Sequence, residues 1–343
     1  MSYLELDDII FNIQKFGGAS TYWRELTSRL SEFVPGEIVH STGKKMMRFY
    51  SPRSSAKVFH SSHFRISSSR SVTNVTTIHD LIYEKGFGGG RGKFLNLYER
   101  RKSVEMADAI ICISESTRQD LYKYYGNLVK TKPVSVIYHG CSRLPARPIA
   151  QISVFDRSEY LNLNLSVRQF FIYVGGRSGY KNFEFLLNAF AAGKFANRGY
   201  SIICTGASFD DDECKKIETL KLSKSVVSIG FVDATTLGEL YSVSCALVYP
   251  SMYEGFGLPP LEAMASGCPV ICANSSSLPE VVGDSGILID PTSVEQLADA
   301  MDSVLLNDVR SHFSQAGITR AEQFDWRETA RQHAMVYESI AAF

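Results

Sequence analysis

FFIYVGGRSGYKNFEFLLNAF, residues 170–190, reads as a short strand, a glycine-rich turn and a helix in immediate succession. Its opening residues are apolar on both faces, which a strand between two helix layers requires. The same unit recurs outward along the chain. VTTIHD (75–80), DAIICIS (108–114), VSVIYHG (134–140), YSIICTG (200–206), VVSIG (226–230), CALVYPS (245–251), PVICA (269–273) and GILID (286–290) alternate with helix-period runs. Strand and helix in alternation predict a parallel α/β sheet. Ser116 with Gln119 reads as a capping box for a helix ending near Tyr125, with Gly126 as its stop, and Ser293 with Gln296 opens VEQLADAMDSVLL in the same way.

A chain of 343 residues is too long for one core to keep growing, so two domains are expected. The pattern lapses between His139 and about Arg168, a stretch containing Pro145 and Pro148, and the junction is placed there. Residues 1–150 and 151–326 then form two doubly wound domains. Ligands of such sheets bind at the carboxyl ends of the strands, so two facing domains would bind between them. A composition of 45% hydrophobic and 21% charged residues excludes disordered, collagen-like and disulfide-scaffold classes. The net charge of zero hides 22 basic against 13 acidic residues up to position 150, and 14 against 23 after it. That asymmetry disfavours general nucleic-acid binding but leaves the front half attractive to anions. Seven cysteines with no C-x-x-C fit a reduced, cytoplasmic chain. MSYLELDDIIFNIQ does not read as a secretory signal, and no stretch reaches 18 uninterrupted apolar residues, so a soluble or peripheral protein is expected.

The segment richest in chemistry is SMYEGFGLPPLEAMASGCPVICA, residues 251–273. Pro259 and Pro260 suit a helix entrance and Gly267 its stop, which places Glu262 in the first turn and Glu254 in the preceding loop. Phe256, Gly257 and Leu258 would present backbone amides at the positive end of that helix. Carboxylates there accept hydrogen bonds from vicinal hydroxyls, which points to a hydroxyl-rich ligand. The plainer alternative is one acid satisfying the helix dipole and one solvated loop acid. At the end of the strand at 170–174, Arg177 and Lys181 offer cations where a departing diphosphate would build charge; two solvated surface cations are the alternative. Gly17 and Gly18 precede a helix and would admit a phosphate close to the backbone, or mark a plain turn. His79 and Asp80 end an apolar strand, and His79 admits three readings: metal ligand, general base or satisfied structural histidine.

EGFGLPPLE, Glu254 to Glu262, resembles the E-G-F-G-L-P-x-L-E hallmark of the retaining glycosyltransferases of family four, which have the GT-B fold of two Rossmann-like domains. The resemblance implies that Glu254 and the amides of Phe256, Gly257 and Leu258 hold a donor sugar, that Glu262 binds the ribose of its nucleotide, and that Arg177 and Lys181 grip the diphosphate. It further implies that Gly17 and Gly18 line the donor site, with Tyr22 towards the acceptor. His79 would lie near the anomeric centre, Asp80 would contact the acceptor or support its loop, and Phe231 and Val232 would meet the base. Ser114 takes at most a capping role. FDWRETARQHAMVYESI matches a helix that crosses back to the front domain, residues 327–343 here, with Trp326 structural.

The function so implied is transfer of a hexose, mannose favoured, from a nucleotide diphosphate sugar to a hydroxyl of a growing glycan in surface polysaccharide biosynthesis. GDP-mannose is preferred as donor over a UDP-hexose, with no metal and no cofactor. Glu254 and His79 act as stabilisers without covalent catalysis. The acceptor is a glycan, lipid-linked or free. The basic front half, including Lys44, Lys45, Arg48, Arg100, Arg101 and Lys102, offers peripheral contact with an anionic membrane, or scattered solubilising charge. A GT-B epimerase or phosphorylase and a catalytically idle sugar-nucleotide binder are the rival readings.

Other motifs fail on inspection. GFGGGRGK (86–93) has phenylalanine at the first Walker glycine and Phe94 after its lysine, and reads as a mobile loop. Asp210-Asp211-Asp212 contains D-x-D, but acids before a helix are explained by its dipole. No intact G-x-G-x-x-G follows a strand. Cys268 and Cys272 flank a strand and are expected to serve packing.

Overall fold

All nine apolar runs form strands, and three more precede them. The computed structural model describes residues 2–341 apart from 16, 88, 90, 91, 147–168 and 178. It divides into unit 1, Met1–Gly140 with Phe324–Phe343, and unit 2, Cys141–Gln323. The division falls at Gly140, whereas the expected boundary at 150/151 lies outside the described residues.

Unit 1 carries β1 (Leu4–Asp7), α1 (Ile10–Ile13), α2 (Gly18–Thr27), β2 (Ile38–Ser41), β3 (Val58–Ser61), β4 (Thr73–Ile78), α3 (Lys93–Met106), β5 (Ala109–Cys112), α4 (Glu115–Val129) and β6 (Val134–Val136). Its sheet runs β2-β1-β3-β4-β5-β6, every pair parallel. The first three strands escape the sequence reading because each is four residues long and broken by a polar side chain, such as Glu5, His40 or His60. Ser114, not Ser116, caps α4, its Oγ accepting from the Thr117 amide at 3.0 Å. The helix also continues through Gly126 to Val129, because Leu121, Tyr125 and Val129 bury one continuous face.

Unit 2 carries β7 (Phe170–Val174), α5 (Phe183–Ala192), β8 (Ser201–Thr205), α6 (Asp211–Thr219), β9 (Val226–Ser228), α7 (Ala234–Val243), β10 (Leu247–Tyr249), α8 (Leu258–Ala265), β11 (Val270–Ala273), α9 (Leu278–Val282), β12 (Ile287–Ile289), α10 (Val294–Ser303) and α11 (Asn307–Ala321). Its parallel sheet runs β12-β11-β10-β7-β8-β9. Asp210 caps α6 in a capping box with Glu213, so the acidic run is a helix start. Ser293 caps α10. Cys268 and Cys272 are buried in the core, in keeping with packing.

The chain then returns to unit 1 as α12 (Trp326–Ala341). The return begins at Phe324, so Phe324, Asp325 and Trp326 belong with unit 1 and not with the expected second domain of residues 151–326. Its ring stacks on His139 at 5.5 Å, and a Cβ added at Gly140 would sit 2.1 Å from its backbone nitrogen. Only glycine admits that approach.

A buried chain of hydrogen bonds fastens α12 further. His333 Nδ1 lies 2.7 Å from the Thr329 carbonyl oxygen, which can only accept. With the ring neutral, Nδ1 therefore carries the proton and Nε2 accepts from the Tyr22 hydroxyl at 2.7 Å. Tyr22 in turn accepts from Thr77 at 3.1 Å, Thr77 from His60 Nε2 at 2.9 Å, and His60 Nδ1 from Tyr337 at 2.6 Å. One carbonyl thus sets the direction of five hydrogen bonds joining α2, β3, β4 and α12. Tyr22 is fully buried in this chain, which removes it from the expected acceptor contacts.

Burial lowers the pKa of His60 and His139 well below the usual imidazole range, and lowers His79 and His333 to about 4. Asp7 moves the other way, pushed up to about 6 by burial despite Arg65 Nη1 at 2.9 Å. Two outcomes follow for stability. Tyr22→Phe strands His333 Nε2 and the Thr77 hydroxyl, and is expected to cost about 1–3 kcal/mol in denaturant unfolding. As pH falls below about 6.5, the unfolded chain binds protons that these imidazoles refuse, so stability falls. Within unit 1 Asp7 opposes this, gaining as pH falls through about 6, but it is one group against five, because burial lowers the pKa of His63 as well. Both tryptophans, Trp23 and Trp326, lie in unit 1, so the melting temperature followed by tryptophan fluorescence should drop between about pH 7 and 5. A flat profile would mean that these rings are protonated in the fold.

Candidate functional site

In unit 2 the strand order reverses between β7 and β10, which lie side by side although α5, β8, α6, β9 and α7 separate them in sequence. Loops leaving two such strands part in opposite directions and open a crevice at their carboxyl ends. The two loops there are the glycine-rich turn after β7 and the Glu254 loop after β10. Lys181 Nζ lies 2.7 Å from Glu254 Oε1 and 3.3 Å from the Tyr249 hydroxyl at the end of β10. Two of the three ammonium hydrogens are thereby engaged, and one remains for a ligand. Both side chains are mostly buried, 19% and 12% exposed, so the pair is only partly screened by water.

Each loop is set by a residue in the left-handed region. Asn182, at φ 60°, precedes α5, and its Nδ2 donates to the carbonyls of Pro250 (3.3 Å) and Pro291 (2.9 Å), tying three strand ends together. Ser276, at φ 49°, accepts from the Glu254 amide at 2.8 Å. Ser277 is buried, and its hydroxyl reaches the carbonyl oxygens of Glu254 (3.0 Å) and Phe256 (2.7 Å). Gly257 at φ 118° turns the chain into α8, where its own backbone conformation excludes a side chain. Phe256 turns its ring into the core, while Leu258 opens the helix.

Glu262 falls one turn into α8, beyond the first turn expected for it, so the helix dipole does not explain it. Its carboxylate is half-buried, and among the described residues it has no hydrogen-bond or ion-pair partner. Burial alone raises its pKa to about 7. A carboxylate kept partly from water with nothing to bind is set up to accept hydroxyls from a ligand.

Arg177 departs from the expectation of a free phosphate-gripping cation. It is buried, its Nε donates to Glu213 (2.9 Å), and its Nη2 donates to the carbonyls of Ala207 (2.6 Å) and Ser208 (2.7 Å). Phe209 lies against the guanidinium at 4.9 Å. The arginine fastens the turn after β7 to the start of α6. Its Nη1 alone is buried without a hydrogen-bond partner among the described residues. Phe231 is 87% exposed after β9, and Val232 beside it is half-buried, leaving an apolar face open to a planar ring.

In unit 1, Gly17 caps α2 at φ 137° and Gly18 begins that helix, both exposed. His79 is half-buried past the end of β4, edge-on to Tyr22 at 5.0 Å, and its pKa of about 4 makes it a neutral ring near neutral pH. Asp80 Oδ1 accepts from the Ile82 amide (3.1 Å) and Arg100 (3.3 Å), a loop-supporting role. No group of three histidine, cysteine or acidic residues placed to hold a metal ion occurs among the described residues. The expected mobile loop at 86–93 lies partly outside the described residues.

Sequence reasoning missed Ser276, Ser277 and Glu213. Serines in a loop give no signal of which carbonyl they will reach, although SSS (275–277) directly after PVICA marks the neighbouring strand end. Ser277→Ala leaves two carbonyls beneath the Glu254 loop without their donor, and a loss of about 1–2 kcal/mol in unfolding free energy is expected, measured by urea titration.

Comparison with known proteins follows the same division. A family model described as "Glycosyltransferase Family 4" matches residues 47–142, and one described as "Glycosyl transferases group 1" matches residues 162–320. The chain is 29% identical over 243 residues to the O-antigen chain mannosyltransferase B of Escherichia coli, an alignment covering 70% of this chain and 62% of that protein's length. Its fold resembles the sucrose-phosphate synthase of Thermosynechococcus elongatus, with a TM-score of 0.75 at 19% identity over the whole of both chains. It also resembles Anabaena HepE, solved in complex with UDP-glucose, with a TM-score of 0.73 at 17% identity over 99% of this chain and 100% of that one. Two parallel doubly wound sheets, the glutamate pair of the Glu254 loop and α8, and both family models lead to one assignment: a glycosyltransferase of the GT-B fold, with a family 4 match over residues 47–142 and a group 1 match over residues 162–320.

Proposed function

We propose that the protein is a retaining hexosyltransferase that takes mannose from GDP-mannose and adds it to a hydroxyl of a growing surface glycan, lipid-linked or free, at the cytoplasmic side of a membrane. The observation that carries this reading is the unpartnered Glu262 carboxylate beside a β7/β10 crevice already holding Lys181 and Glu254. Glu262 would accept both ribose hydroxyls of the nucleotide, most strongly when ionised. Lys181 would turn from Glu254 to the diphosphate, leaving Glu254 to bind sugar hydroxyls together with the amides of Gly257 and Leu258. Phe231 would lie against the base. Arg177 contributes through Nη1 at most, because its other donors are engaged.

In the transfer itself the bond from the anomeric carbon to the diphosphate oxygen breaks, and a bond to the acceptor oxygen forms on the same face. The acceptor proton passes to the departing diphosphate, so neither a metal nor a cofactor is invoked. Charge building on the leaving oxygen is met by Lys181. Glu254 and His79 are stabilisers in this scheme and not nucleophiles, and His79 acts as a neutral ring near neutral pH. A relative named as a mannosyltransferase supports mannose and a polysaccharide product, whereas the resemblance to HepE with its UDP-glucose makes a UDP-hexose the alternative donor. An epimerase, a phosphorylase or an idle binder would share the donor site, and acceptor-dependent release of nucleoside diphosphate separates transfer from all three.

A thermal-shift titration with GDP- and UDP-sugars, chelator present, tests the site. Stabilisation by one donor is expected, with affinity reduced roughly 10- to 100-fold by Glu262→Ala and by Lys181→Ala. Because the Glu262 pKa is raised to about 7, donor affinity should also fall as pH drops from 8 to 6, and Glu262→Gln should remove that dependence. No stabilisation of the wild type by any sugar nucleotide would overturn the reading.

A further inference from the structure

Tyr249 is the last residue of β10, a strand with neighbours on both sides, and its ring is buried among them. A phenol held in such a place needs a partner for its hydroxyl. Tyr249 has two, and both are charged. Lys181 Nζ donates to the hydroxyl at 3.3 Å, and the Glu254 carboxylate is hydrogen-bonded to it as well. The same ammonium lies 5.5 Å from the centre of the ring. A phenol carries one proton and two lone pairs, so Tyr249 accepts from the lysine and donates to the glutamate. Burial and the nearby Glu254 charge hold its pKa well above the usual phenol range, which keeps that proton in place.

A second buried tyrosine ends the neighbouring stretch of β7. The Tyr173 hydroxyl lies 2.8 Å from the Gly176 carbonyl oxygen and 3.2 Å from that of Lys181. It fixes the backbone of Lys181 and leaves the tip of the side chain to move. The backbone of Glu254 is fixed in turn by Ser276 and Ser277, but neither serine touches its carboxylate. Of the three groups that meet at the ion pair, only the Tyr249 hydroxyl is set rigidly by a strand.

That difference matters once a diphosphate draws the ammonium away. Glu254 then keeps its charge in a place only 12% exposed and has lost its cation. One donor stays behind. The Tyr249 hydroxyl can hold one part of the carboxylate while the rest accepts hydroxyls from a sugar, since an ionised carboxylate offers about four acceptor sites.

We infer that Tyr249 is a positioning residue for the donor sugar, its hydroxyl holding the Glu254 carboxylate in place after Lys181 has turned to the diphosphate. The inference rests on the proposed donor site and adds a division of labour within it: Tyr249 governs the hold on the sugar and leaves the hold on the nucleotide unchanged.

Isothermal titration calorimetry on the full chain tests this, comparing GDP-mannose with GDP and UDP-glucose with UDP. For the sugar nucleotide that the wild type binds, Tyr249→Phe should weaken affinity about tenfold, the loss of one hydrogen bond to a charged group, with affinity for the matching nucleoside diphosphate unchanged. Phenylalanine fills the same space, so the variant should melt close to the wild type. In a Glu254→Ala background Tyr249→Phe should cause no further loss, because the group it positions is gone. Tyr173→Phe, which loosens the lysine backbone, should instead weaken sugar nucleotide and diphosphate alike. Unchanged sugar-nucleotide affinity in Tyr249→Phe, equal weakening of both ligands by it, or a full further loss in the Glu254→Ala background would overturn the inference while the donor site stands. A wild type that binds neither sugar nucleotide would remove the donor site, and this role with it.

Discussion

Everything in unit 2 converges on one contact, the ion pair between Lys181 and Glu254, which lie 73 residues apart in sequence. It forms because β7 and β10 are neighbours in the sheet, so the loops leaving them meet where the strand order reverses. A mostly buried cation next to a mostly buried anion is neutral as a unit, which makes both tolerable with no ligand present. Under the proposed function a diphosphate would change that balance, offering the ammonium a stronger partner and leaving the carboxylate to bind hydroxyls. The supports are accordingly stiff, with Asn182 and Ser276 in left-handed conformations and Ser277 holding two carbonyls of the loop.

Unit 1 meets a different constraint. Its last helix comes from the far end of the chain, and it is fixed by polar contacts as well as apolar ones. The chain from the Thr329 carbonyl through His333, Tyr22, Thr77 and His60 to Tyr337 is fully satisfied when the imidazoles are neutral, with a single proton arrangement along its length. Such a network specifies the seating of α12 more sharply than apolar contact would, because a displaced helix leaves several buried groups without partners. It also ties the fold to a neutral environment.

Legibility in the sequence followed the range of the interactions. Strands apolar on both faces, the Ser293 cap, the acidic start of α6 and the proline–glycine punctuation of α8 are local, and all were readable. Tyr22 was misread because its partners, Thr77 and His333, lie 55 and 311 residues away. Arg177 was misread for the same reason: a cation beside a glycine-rich turn shows nothing of Glu213 or of the two carbonyls that claim it. Glu262 was expected in the first turn of a helix and lies one turn further in, and its isolation and raised pKa depend on what surrounds it.

By itself the sequence determined the alternation of strand and helix, and hence two parallel sheets, together with the identity of the residues at each strand end, because hydrophobic period and turn chemistry act over a few residues. Only the tertiary structure decided which of those charged side chains are free and which are engaged: Lys181 shared with Glu254, Arg177 withdrawn, Glu262 unpaired, Tyr22 buried. Burial and pairing are properties of neighbours distant in the chain, and strand order alone sets those neighbours.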